Sequence, residues 1–116
     1  MKVLVVDDNI SLRDHISKKL IQINDFSVAE VSDKNQLSEI IPVMRPDVII
    51  MDTKYTFSFG EELLEDLRTK DIITNILYHT DGDNPKWVNK AGDENYNKRL
   101  NKRNLDQILR VIRDEN

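Results

Sequence analysis

The sequence predicts an α/β fold, a doubly wound sheet of five parallel strands with helices on both faces. Three observations predict it. Apolar runs alternate with helix-period stretches from end to end, the rhythm of successive strand–helix units. Two of the runs, MKVLVVDD and DVIIMD, are apolar at consecutive positions and so on both faces, as a strand covered from both sides must be. The 116 residues suffice for one domain, 1–116, with a core of its own.

Lys2–Val6 is the first strand. Leu12, Ile16, Leu20 and Ile23 recur every three to four residues, which makes the following segment an amphipathic helix. Asp8 and Asn9 are both suited to cap it. After a polar turn at Asn24–Asp25, Phe26–Val31 reads as the second strand. Leu37, Ile40, Ile41 and Met44 form the next helical stripe, and Pro46 stops it. Val48–Met51 is the third strand. Gly60 opens a helix whose buried stripe is Leu63, Leu64 and Leu67. Asn75–His79 is the fourth strand. Asp83–Ala91 has room only for a short fourth helix, with Gly92 as its stop and Trp87 as its anchor on the sheet. Glu94–Asn97 is a weak fifth strand. The last helix starts near Asn101, an N-cap, and buries Leu105, Ile108, Leu109 and Ile112.

Right-handed crossovers between such units give the flavodoxin-like strand order 2-1-3-4-5. The functional crevice of such a sheet lies beyond the carboxyl ends of its strands, where the order reverses between the first and third. Those two strands end in Asp7, Asp8 and Asp52. Three carboxylates at one rim repel one another, so the site calls for a cation. A cluster of oxygens suits Mg²⁺, which keeps waters and open positions for phosphate oxygens. Asp52 is then either a ligand only or a nucleophile that forms an acyl phosphate. Phosphoryl transfer also needs groups that position and neutralise the equatorial oxygens. Thr80 after the fourth strand and Lys98 after the fifth bring a hydroxyl and an ammonium to the same rim.

Composition excludes other classes. A net charge of −4 argues against a nucleic-acid footprint. Lys98, Arg99, Lys102, Arg103, Arg110 and Arg113 do gather late, and read as a solvated helix face with balancing acids. The absence of cysteine removes disulfides and thiolate metal sites. No apolar stretch nears the roughly 20 residues of a membrane span, and Met1 leads straight into a strand, so a cytoplasmic protein is expected.

These residues resemble those of a response-regulator receiver domain, the phospho-accepting module of bacterial two-component signalling. The likeness runs over nearly the whole chain. VLVVDDN is similar to the family's first strand and acidic pair. RPDVIIMD, with Gly60 eight residues after Asp52, is similar to its acceptor strand and loop. Thr80 and Lys98 fall where the family places its switch hydroxyl and its ammonium.

The resemblance implies that Asp52 is the phosphoacceptor. Asp7, Asp8, Asp52 and the Lys54 main-chain carbonyl would hold Mg²⁺, Thr80 would hydrogen-bond the phosphoryl group, and Lys98 would pair with it. It implies a histidine kinase or phosphotransfer protein as donor, and an output protein or effector domain that the sequence does not name. Neither direct nucleic-acid binding nor membrane insertion is implied. The chain is then no turnover enzyme; it catalyses only its own phosphorylation and slow dephosphorylation.

Several positions depart from the family. Thr56 stands where receivers usually carry proline, and Asp81 stands where they keep a small residue beside Thr80. With the resemblance as guide, the Lys54 side chain would overhang the phosphoryl site and alter the hydrolysis rate. The stretch from Thr80 to Lys98 is about one helical turn shorter than in receivers. Aligning Lys98 with the family's lysine keeps the last helix in register and puts Asn95 at the switch aromatic. Aligning Tyr96 with that aromatic instead puts Arg99 at the ammonium position. The fourth helix, fifth strand and last helix form the usual output face in receivers, and that face is rebuilt here. These departures motivate a second reading, a receiver-like interaction module not regulated by phosphorylation. A third, an aspartyl-nucleophile hydrolase, is disfavoured because Asp7 and Asp8 are adjacent rather than two apart. His15 reads as a surface residue and His79 as a packing residue.

Overall fold

The computed structural model describes residues 1–7, 9–23, 25–52, 65, 67, 69–70, 74–79, 86–88 and 102–112. Its elements are β1 (Lys2–Val6), α1 (Ile10–Ile21), β2 (Ser27–Val31), α2 (Lys34–Met44), β3 (Val48–Asp52), β4 (Asn75–His79), β5 (Lys86–Val88) and α3 (Lys102–Ile112). Helical backbone also occurs at Glu65, Leu67 and Thr69, inside the helix expected after Gly60. Leu63 and Leu64 of that helix lie outside the described residues.

The sheet runs β2-β1-β3-β4-β5, and its first four strands are parallel, as the alternating pattern predicts. Alternate residues enter two cores. Leu4, Val6, Ile49, Met51 and Ile76 point to one face, where they meet Leu37 and Ile41 of α2 and the helical Leu67. Val3, Val5, Val48, Ile50 and Leu77 point to the other, against Ile16 and Leu20 of α1 and Ile108, Val111 and Ile112 of α3. The central strands are therefore buried on both sides, which is why their sequences are unbroken apolar runs. Leu105 and Leu109, expected in the core, are half-buried, and Val111 takes a core place instead.

Local chemistry sets the helix ends. The Asn9 side chain accepts the Leu12 N–H at 3.1 Å, and so begins α1. Asp33 does the same for α2, accepting the Gln36 N–H at 2.9 Å. Gln36 reaches back to accept the Ser32 N–H at 3.0 Å, close to a capping box. Arg45 ends α2 in the left-handed region at φ 49°, its N–H on the Ile41 carbonyl at 2.8 Å, just before Pro46. Pro42 lies within the last turn, where it removes one intrahelical donor. His15 is exposed, as expected.

The fifth strand corrects two expectations. Lys86–Val88 runs antiparallel to β4, pairing Ile76 with Val88, Leu77 with Trp87 and Tyr78 with Lys86. Among the described residues the strand beside β4 is thus antiparallel, and the centre of the short helix expected over Asp83–Ala91 is a strand. Trp87 accordingly sits on the edge strand rather than on a helix. The physical reason lies in the connection. The sequence TDGDNP between His79 and Lys86 is rich in turn formers but far short of the dozen or more residues of a parallel crossover. Trp and Val also favour strand over helix. The strand expected at Glu94–Asn97 and the cap at Asn101 lie outside the described residues.

Candidate functional site at the carboxyl rim of strands one and three

The strand order reverses at β1. The chain passes from β1 to β2 on one side, then returns to place β3 on the other. Val6 pairs with Met51, so Asp7 and Asp52 follow on adjacent strands at the same rim. Neighbouring strands lie about 4.8 Å apart, which sets the scale of the gap between the two backbones. Asp52 is also in register with His79 of β4.

Asp7 is held closely. It is only 2% exposed, although it carries a carboxylate. Its N–H donates to the Val31 carbonyl at 3.2 Å, the last rung between β1 and β2. Its Oδ1 accepts the Asn9 N–H at 2.9 Å, an Asx turn that leads the chain into α1. The N-terminal turn of α1 therefore lies beside the Asp7 carboxylate.

Sequence reasoning overlooked one part of this corner. Arg13 donates from Nη1 to the Asp7 main-chain carbonyl at 2.9 Å and from Nε to Glu30 Oε1 at 3.2 Å. The signal was available. Arg13 lies one turn after the cap Asn9, and helical side chains lean toward the helix N-terminus.

Of the expected site residues, the structure brings Asp7 and the backbone of Asp52 to one rim. Asp8, Lys54, Thr80 and Lys98 lie outside the described residues. A second buried carboxylate, Asp47, occupies the opposite end of β3. Its Oδ2 accepts the Lys2 N–H at 2.7 Å, and its own N–H donates to the Lys2 carbonyl at 2.8 Å. Asp47 therefore joins β1 to β3 far from the rim, a role in the fold rather than the site.

The rim fits a hard divalent cation. Asp7 presents a buried, oriented carboxylate one strand from Asp52, and Mg²⁺ needs only one or two such groups beside its waters. Among the described residues no helix is long and apolar enough to cross a membrane.

Two comparisons with known proteins bear on the chain. A family model described as "Response regulator receiver domain" matches residues 3–113. The protein named CcdB from Bacillus subtilis (strain 168) is 33% identical over 79 residues, covering 68% of this chain and 66% of that protein. The chain thus matches just under two thirds of that relative's length.

Proposed function

The chain belongs to the response regulator receiver family, and from that premise we propose that it is switched by phosphorylation of Asp52 with Mg²⁺ bound at the rim. The meeting of Asp7 and Asp52 at the reversal point between β1 and β3 carries this reading. Asp7, Asp8, Asp52 and the Lys54 carbonyl are the proposed ligands. Bound Mg²⁺ would neutralise phosphoryl oxygens. An Asp52 oxygen attacks phosphorus, the bond from phosphorus to the donor nitrogen or oxygen breaks, and the leaving group departs with that electron pair. The Asn9 N–H keeps the Asp7 carboxylate oriented throughout. Thr80 donates a hydrogen bond to the transferred group, and Lys98 balances its charge. The donor is a histidine kinase or phosphotransfer protein, and the output is a protein contact made in the cytoplasm.

A second reading is an interaction module that phosphate does not switch. The antiparallel edge strand Lys86–Val88 favours it, because that edge belongs to the usual output face. Beryllofluoride, a phosphoryl mimic, separates the two. In an NMR titration of the full chain, the first reading expects Mg²⁺-dependent binding with shifts at Asp7, Asp52 and Lys86–Val88. Absence of binding with Mg²⁺ present overturns it in favour of the second.

A further inference from the structure

We propose that Arg13 is a positioning residue for the acidic rim, orienting Asp7 toward a divalent cation by holding the Asp7 main-chain carbonyl. This rests on the reading of the rim as a Mg²⁺ site. Asp7, directly after β1, is among the described residues the last on this side bonded to β2, through Val31, where β2 ends. A buried carbonyl beyond the last rung still needs a donor. Arg13 supplies one at 2.9 Å.

The guanidinium is itself fixed. The Arg13 N–H closes the first turn of α1 on the Asn9 carbonyl at 3.0 Å, and Glu30 on β2 takes Nε at 3.2 Å. One planar fork thus spans α1, the end of β1 and β2. Val31, Arg13 and Asn9 bond the amide, the carbonyl and the carboxylate of Asp7 respectively. Together they set its backbone and its side-chain direction. Lysine keeps the charge but has no rigid fork with which to hold both partners.

The sign of the effect separates positioning from simple charge. A cation beside an acidic site repels a second cation, so Arg13 acting only through its charge weakens Mg²⁺ binding, and its removal tightens it. Acting by orientation, its removal weakens binding, by about tenfold for a residue that supports a metal ligand.

The test is a calorimetric Mg²⁺ titration of the full chain, wild type against Arg13→Lys, Arg13→Ala and Glu30→Gln. Hydrogen exchange at the Asn9 amide and unfolding temperature are measured alongside. Both Arg13 variants are expected to bind Mg²⁺ about tenfold more weakly and to exchange the Asn9 amide faster. Glu30→Gln, which keeps an acceptor oxygen for Nε, is expected to stay nearer the wild type than either. Unchanged or tighter Mg²⁺ binding in both Arg13 variants overturns the proposal, even where their unfolding temperature falls. Absence of Mg²⁺ binding by the wild type overturns the metal reading of the rim, and the positioning role with it.

Discussion

An Asp7→Asn variant binds Mg²⁺ at least about tenfold more weakly than the wild type, yet without divalent cations it unfolds at a higher temperature. Asparagine keeps the oxygen that accepts the Asn9 N–H, so the Asx turn into α1 survives. What it removes is a charge that is 2% exposed and one strand from Asp52. Like charges on neighbouring strands at a solvated rim repel by about 1 kcal/mol. For a domain of this size that is a rise of about 5 °C in unfolding temperature. Saturating Mg²⁺ reverses the order, because a ligand held only by the folded state stabilises the wild type. Thermal unfolding of both proteins with and without Mg²⁺ checks this crossing. A variant less stable under both conditions would show that Asp7 is kept for the fold rather than for a cation.

An Ile49→Ala variant loses about 3 kcal/mol of stability. Ile49 is fully buried on the middle strand, between Leu4 of β1 and Ile76 of β4, and faces α2. Strands on both sides prevent collapse into the space left by the removed carbons, so a cavity term adds to the lost burial. Total stabilities of single domains are about 5–15 kcal/mol, so this removes a large share and lowers the unfolding temperature by roughly 15 °C. Val43→Ala, at an exposed position on α2, serves as the comparison and shifts stability by less than about 0.5 kcal/mol. Urea unfolding of the two variants measures both. A loss below about 1 kcal/mol at Ile49 would contradict the two-sided burial of β3.

The two central strands β1 and β3 were legible because burial on both faces leaves an unmistakable mark, a run without alternation ended by a charge. β2 and β4 followed from the alternation of apolar runs with helical stretches. Asp7 and Asp52 could be placed at one rim from that pattern and the reversal of strand order alone. Residue type marked Asp8 and Asn9 as caps for α1, and the structure selects Asn9; the Asp33 cap of α2 was not read from the sequence. The edge strand was not legible. A three-residue strand such as Lys86–Val88 has no period to read, and its direction depends on whether TDGDNP turns or crosses over. Arg13 was missed for a different reason. Its value lies in a contact with a backbone carbonyl, and a carbonyl has no letter in the sequence. Asp47 escaped notice for the same reason, since its partner is the Lys2 amide.

Phosphorylation of Asp52 is the central claim, and intact-protein mass measurement tests it most directly. The full chain is incubated with Mg²⁺ and a small acyl phosphate donor, beside an Asp52→Asn variant and a sample with Mg²⁺ chelated. The account predicts a gain of one phosphoryl group in the wild type with Mg²⁺, and none in the variant or the chelated sample. No gain in the wild type, or an equal gain in the variant, would contradict it.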